Sequence, residues 1–248
     1  SYCGPDIRMW SAPVEDLSSW RDEGPIFTYQ VEGQWDVMYA PDLVEVKRKD
    51  GTKEYYLYPH SRGRDREAMV AKGSRPDGPF TPINLTADGT KTLPGSILGF
   101  DPSVYIEYIT DPNAPDYEVG FRAYGYWGFQ RSLAAQLDQN TMYSVRPGTE
   151  FIPYFMPAGV RRGNNYVTIY SGHSGPDYGL GSSNSTLRYA YGDSPLGPWK
   201  SGGVLVDSRA PVLNQDGSHL QTTNAGHNTH GSIELINGQW YVFYHRPP

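Results

Sequence analysis

A short polar or proline-containing knot followed by an apolar strand recurs along this chain at a spacing near 60 residues, and no other feature restricts the fold as much. The knots are APDLV at Asp42, DPSVYI at Asp101, PAGVRR at Ala158 and HGSIEL at His230, separated by 59, 57 and 72 residues. A turn and an aromatic strand also recur, in GTKEYYLYPH at 51–60, in RGNNYVTIYSG from Arg162 and in the closing NGQWYVFYH. A repeat of this length with about four short strands per unit has the size of a β-propeller blade, slightly long because of inserted loops.

The closing stretch THGSIELINGQWYVFYHR predicts a hairpin. Ile233–Ile236 and the run from Trp240 are β-branched and aromatic, and Asn237-Gly238 between them is a tight-turn pair. A second element, SAPVEDLSSW at 11–20, SRPDGPF at 74–80 and DSPLGPW at 193–199, is expected to end a strand and cap a sheet. Turn dipeptides such as Asp50-Gly51, Asp77-Gly78 and Asp216-Gly217 punctuate the rest. Helical periodicity is missing; RSLAAQLDQ at 131–139 is expected to be at most a short helix in a loop. The expectation is an all-β chain, a single five-bladed β-propeller domain over 1–248. One period back from Asp42 falls about 15 to 20 residues before Ser1, and the last sheet needs a further strand after His245-Arg246. The first and last blades are therefore expected to be incomplete, as in a fragment of a longer chain.

A net charge of −6 without a Lys/Arg cluster argues against nucleic acid and against an anionic membrane surface. Nothing in the sequence has the length of apolar residues that a membrane span needs, and the first residues lack a signal-peptide pattern, so a soluble mature chain is expected. A single cysteine, Cys3, excludes an internal disulfide and leaves the compartment open. The 20 Tyr and 6 Trp, with abundant Gly and Asn, suit carbohydrate, because flat rings stack on sugar faces and amides bond hydroxyls, although any β protein can share this composition. Asn84 and Asn184 begin Asn-x-Thr sequons.

The ordered set WSAPVEDLSSW, YAPD, GFDPSVY, NSTLRYAYGDSPLGPW and HGSIELINGQWYVFYHR resembles glycoside hydrolase family 43 over nearly the whole chain. Members of that family are five-bladed β-propellers and include α-L-arabinofuranosidases, β-xylosidases and arabinanases. The resemblance implies inverting hydrolysis of arabinofuranosyl or xylosyl units in plant-type polysaccharides or oligosaccharides, and a secreted or periplasmic location. Inversion uses a base and an acid carboxylate about 6.5 to 9.5 Å apart, with a water between base and sugar. A third carboxylate orients the acid and raises its pKa.

On this resemblance Asp101 in GFDPSVY matches the third carboxylate; its bland alternative is an Asp-Pro that starts a strand. Asp42 in YAPD matches a hydrogen-bond acceptor at the edge of the central pit, or a turn aspartate, and Tyr39 part of the sugar-binding wall. The base is expected before Ser1, since Asp6 and Asp16 fall too late in the first blade. The family's acid, a Glu followed by a small-residue, Ile-Arg-Lys pattern, aligns in YFMPAGVRR with Met156, a thioether that cannot donate a proton. Glu150 is the nearest carboxylate, usable with a rearranged loop; a deletion in this stretch is the other explanation. Phe155, Trp127 and Phe129 are candidates to stack on substrate, with blade packing the alternative for Trp127 and Phe129. Arg246 is a candidate to bond sugar hydroxyls or a carboxylate. The loop SGHSGPDYGLGSSNS at 171–185 offers His173 and Asp177. His230 matches a channel histidine beside a structural calcium ion whose other contacts are mostly water, whereas His227 is expected in a loop. Two functions stay open: a glycosidase, and a propeller that has lost catalysis and binds carbohydrate.

Overall fold

The computed structural model describes residues 3–129, 131–150, 152–153, 166–174, 183–216, 219–222 and 229–245. The chain forms two compact units, Ser1–Tyr154 and Phe155–Pro248. In the first, β1 (Asp6–Ser11) pairs with β2 (Arg21–Thr28), and β3 (Gln30–Val31) with β4 (Gln34–Trp35). Two four-stranded antiparallel sheets follow in chain order: β5 (Asp42–Lys47), β6 (Lys53–Tyr58), β7 (Ala71–Gly73) and β8 (Thr81–Pro82), then β9 (Ser103–Tyr108), β10 (Phe121–Trp127), β11 (Leu133–Leu137) and β12 (Ile152–Pro153). The second unit has a three-stranded sheet of β13 (Tyr166–Ser174), β14 (Ser183–Gly192) and β15 (Trp199–Asp207). Two hairpins complete it, β16 (Pro211–Leu213) with β17 (His219–Thr222), and β18 (Gly231–Ile236) with β19 (Gln239–Tyr244). Among the described residues the helical content is one 3₁₀ turn, Arg64–Arg66, and no helix is long and apolar enough to cross a membrane.

Local chemistry explains the turns. The Asp50 carboxylate accepts from the Thr52 amide at 2.9 Å and from its hydroxyl at 2.6 Å, while Gly51 takes the positive φ that closes the β5–β6 hairpin. Between β18 and β19, Ile236 opposes Gln239, and Asn237 and Gly238 have φ of 50° and 80°. Both central residues are left-handed, as an Asn-Gly hairpin turn requires.

The strand KEYYLY of β6 is apolar on both faces because both are covered. Tyr56 and Tyr58 pack with Val46 of their own sheet and with Val104, Phe121 and Leu137 of the next, while Tyr55 and Leu57 pack on Ile7, Phe27 and Met38 on the other side. The first unit is thus three layers face to face, β1–β2, β5–β8 and β9–β12. The leading strands of the two larger sheets touch: the Val104 amide donates to Asp42 Oδ2 at 2.7 Å, and the Lys47 amide to the Tyr108 hydroxyl at 3.0 Å. At the far end of β9 and β10, the buried Asp116 accepts from Arg122 Nε at 2.6 Å, Arg146 Nη1 at 3.0 Å and Gln139 Nε2 at 3.3 Å. In the second unit, Ser171 of β13 donates its hydroxyl to the Thr229 carbonyl at 2.7 Å, just ahead of β18.

Several expectations are corrected. Residues 131–139 hold β11, not a helix: Ala134, Ala135 and Leu137 are fully buried, and pairing with β10 outweighs the helix preference of alanine. SRPDGPF and DSPLGPW do not cap sheets. Each joins two paired strands, β7 to β8 and β14 to β15, through a cis Gly-Pro bond, and SAPVEDLSSW likewise lies between β1 and β2. The Asn84 sequon is sealed, for its side chain is fully buried, accepting from the Val70 amide at 2.8 Å and donating to the Ala68 carbonyl at 2.8 Å and Ser96 Oγ at 2.9 Å. Asp42 opens β5, Asp101 lies two residues before β9, and His230 directly precedes β18; Ala158 lies outside the described residues. The outermost strands β8 and β12 are two residues long, and each ends in proline.

Candidate active site

Of the residues singled out from sequence, Asp101 has the most distinctive surroundings. It sits between Phe100 and Pro102 with φ of 47°, a left-handed conformation that aspartate tolerates but that the surroundings must hold in place. The holding group comes from the neighbouring sheet. His60, two residues after β6, also has φ of 47°, and its carbonyl accepts from the Tyr39 amide at 3.1 Å. Its side chain is 4% exposed, whereas that of Asp101 is 50% exposed, and Nδ1 lies 3.1 Å from Asp101 Oδ1. On the other side Nε2 lies 3.9 Å from Glu67 Oε1. Glu67 comes close because residue 99 is glycine: a Cβ there would stand 2.9 Å from Glu67 Oε2.

Rings enclose this arrangement. Phe100 meets His60 edge-on at 4.7 Å between centroids, Tyr39 lies 5.3 Å from His60, and Phe129 stands 5.2 Å from Phe100 with 64% of its surface exposed. The Gly128 amide donates to the Phe100 carbonyl at 2.7 Å, which ties the Phe129 loop to the residue before Asp101. A solvent-facing carboxylate, held from behind by a buried imidazole and flanked by an open aromatic face, can exert charge on a bound molecule while apolar surface covers it.

The other candidates divide. Tyr39 joins the Asp101 cluster. Asp42 uses Oδ2 on the Val104 amide, so it fixes the strand that follows Asp101; its charge, after burial, also helps hold the Tyr58 hydroxyl above its usual range. Trp127 packs partly buried against the core of the β5–β8 and β9–β12 sheets, and the ring that reaches the cluster is Phe129. Glu150 is exposed two residues before β12, the outermost strand. Three strand spacings, roughly 14 Å, separate that strand from β9, so the structure does not bring Glu150 to Asp101. Phe155, Met156, Asp177, His227 and Arg246 lie outside the described residues, and His173 falls within β13. Sequence reasoning missed His60 and Glu67. The signal for His60 was the shared ending of GTKEYYLYPH and NGQWYVFYH, which places His60 and His245 alike after the second strand of a sheet.

In the second unit, His230 stacks on His245 at 5.0 Å and 16°, and the His245 amide donates to the His230 carbonyl at 2.8 Å. Behind it the buried Thr229 and Ser208 hydroxyls share a hydrogen bond, and Ser208 also donates to the Ser185 carbonyl at 3.0 Å. Calcium takes six to eight oxygen ligands. Among the described residues no group of three or more His, Cys, Asp or Glu is placed to hold a metal, and the ring facing His230 is a second imidazole. The described side chains therefore do not form a calcium cage.

The sequence pattern of Glycosyl hydrolases family 43 matches residues 1–247. The chain belongs to glycoside hydrolase family 43. A curated relative, a xylosidase/arabinosidase from Thermoclostridium stercorarium, is 30% identical over 278 residues, 99% of this chain and 53% of the relative. The chain thus spans about half the length of that relative. Among solved structures, an α-L-arabinofuranosidase from Clostridium thermocellum superposes with a TM-score of 0.55 at 24% identity, over 98% of this chain and 72% of the other. A β-xylosidase/α-arabinofuranosidase from a compost microbial metagenome, crystallised with xylotriose in a calcium-free form, gives 0.58 at 20% identity over 99% and 75%. The fold of this family 43 chain is the all-β, five-bladed propeller of its relatives.

Proposed function

We propose that this family 43 chain takes part in inverting hydrolysis of arabinofuranosyl or xylosyl units in plant-type polysaccharides or oligosaccharides, with Asp101 as the carboxylate that orients the acid and raises its pKa. The observation that carries the reading is the half-exposed Asp101 carboxylate held against the buried His60 imidazole beside open aromatic rings. A negative charge there disfavours ionisation of a neighbouring acid, so that the acid keeps its proton for the leaving oxygen. By register Ile152 pairs with Ala134, Ala134 with Tyr126 and Tyr126 with Ser103, three strands across the sheet; the place of the acid, at Met156, rests on the resemblance. Phe155 and Met156 follow in sequence, outside the described residues, and Phe155 and Arg246 belong to the sugar-binding set on the resemblance alone.

The test is hydrolysis of aryl α-L-arabinofuranoside and aryl β-xyloside, with the first-formed product anomer read by proton NMR. The expected result is release of one or both sugars with inverted configuration. Retention would overturn the mechanism. Sugar binding without hydrolysis would favour the second reading, a carbohydrate-binding propeller, for which Met156 at the acid position is the supporting observation.

A structural calcium ion beside His230 belongs to the same reading, held through water, since the side chains offer imidazole more than oxygen. Chelation is then expected to lower the melting temperature, and added calcium to restore it. His230→Ala should blunt that response. An unchanged melting temperature with and without chelator removes the ion.

A further inference from the structure

The contact between His60 and Asp101 assigns a role to a residue that neither the sequence motifs nor the family match singles out. We propose that His60 is the positioning residue of Asp101, donating from Nδ1–H to fix the carboxylate's rotamer and the place of its charge. This rests on Asp101 acting as proposed above.

Three observations converge on it. The ring has no freedom: His60 is buried, its carbonyl is anchored by the Tyr39 amide, and Phe100 and Tyr39 pack against it. Both nitrogens face carboxylates, Nδ1 at 3.1 Å from Asp101 Oδ1 and Nε2 at 3.9 Å from Glu67 Oε1, from two different segments of the chain. The contact also crosses between sheets, from the end of β6 to the entry of β9, alongside the Asp42 bond to the Val104 amide. These two links flank Pro102 and Ser103, so the backbone after Asp101 and the carboxylate itself are both held from the β5–β8 sheet.

The protonation of Nδ1 follows from what surrounds it. Asp101 offers it two partners, its amide N–H at 3.3 Å and its carboxylate at 3.1 Å. A lone pair on Nδ1 accepts only from the amide and faces Oδ1 repulsively; a proton on Nδ1 reaches the carboxylate. A hydrogen bond to an ionised acceptor is roughly twice as strong as a neutral one, so the Nδ1–H form prevails whenever Asp101 is ionised. Nε2 is left towards Glu67 at a distance too long for a direct bond.

Side-chain replacements separate this role from packing. In His60→Asn the amide Nδ2–H stands near the former Nδ1–H, whereas in His60→Gln the donor reaches the Nε2 side. Loss of the Nδ1 contact is expected to lower kcat about 10²-fold, the cost of a displacement near 1 Å at a reacting site, with KM little changed. His60→Gln and His60→Leu should show that loss, and His60→Asn should retain most of the activity. Melting temperatures are measured for each, and the Asn/Gln comparison stands even if the leucine variant does not fold. In the unaltered protein, ¹⁵N NMR is expected to report a protonated Nδ1 at neutral pH. An unprotonated Nδ1, equal losses in the asparagine and glutamine variants, or near-normal turnover in all three while Asp101→Asn is impaired would each overturn the assignment. Normal turnover in Asp101→Asn would instead remove the reading on which it rests.

Discussion

Asp101→Asn is expected to lower turnover by about 10²- to 10⁴-fold, the range that general acid catalysis contributes, while leaving the melting temperature close to that of the unaltered protein. The substitution keeps size and shape, and the side chain is half exposed, so no buried cavity or unpaired buried group is created. The amide oxygen still accepts from His60, and the backbone is still held by Asp42 through the Val104 amide. What disappears is a negative charge. Without it the acid ionises at lower pH, so the alkaline limb of the kcat/KM profile should move to lower pH as the maximum falls. A folded variant with near-normal turnover would make Asp101 a strand-starting residue and nothing more.

The largest stability effect is expected at Asp116. Its carboxylate accepts from Arg122 and Arg146 and from Gln139, and only 4% of the residue is exposed. The Arg146 hydrogen bond, followed by those from Arg122 and Gln139, overcomes the cost of burial and holds the carboxyl well below the usual range. Asp116→Ala leaves two guanidiniums facing each other across an empty site, which costs about 3–5 kcal/mol for a buried pair. The lower end is expected, because each arginine side chain keeps roughly a quarter of its surface in water. The sign with pH follows from a depressed folded value. The stabilisation is fully present above the unfolded carboxyl value of about 3.9 and is lost as pH falls below it towards the folded value. Urea unfolding at pH 7 and pH 3 should therefore show a large difference between the two proteins at the first pH and a smaller one at the second. A difference below about 1 kcal/mol at pH 7, the scale of a surface pair, would mean that Asp116 is solvated in solution.

The blade frame was legible because hairpin chemistry is local. Asp50-Gly51 and Asn237-Gly238 specify their turns without help, and the polar or proline-containing knots mark the entries of β5, β9 and β18. The Ala-rich third strand was not legible: nothing within residues 131–139 favours a strand, and only burial and pairing with β10 make it one. Asn84 misled for a related reason, since a sequon describes three residues and not the backbone groups that come to surround the first. The site was half legible. Asp101 stood out through its motif, yet its partner could not, because the bond to His60 joins residues 41 apart on different sheets and depends on how those sheets face each other. Glu150 is near in sequence to the expected acid, and it precedes the far edge strand of its sheet.

Pro82 bears on how this molecule meets other chains. A sheet grows by adding a strand to its free edge, and growth needs a row of backbone donors and acceptors. In the β5–β8 sheet the outermost strand, β8, is two residues long and ends in a residue with no N–H to give. That edge is a poor template for a further strand from a neighbouring copy or from an extended peptide. Association at this edge therefore relies on side-chain surfaces.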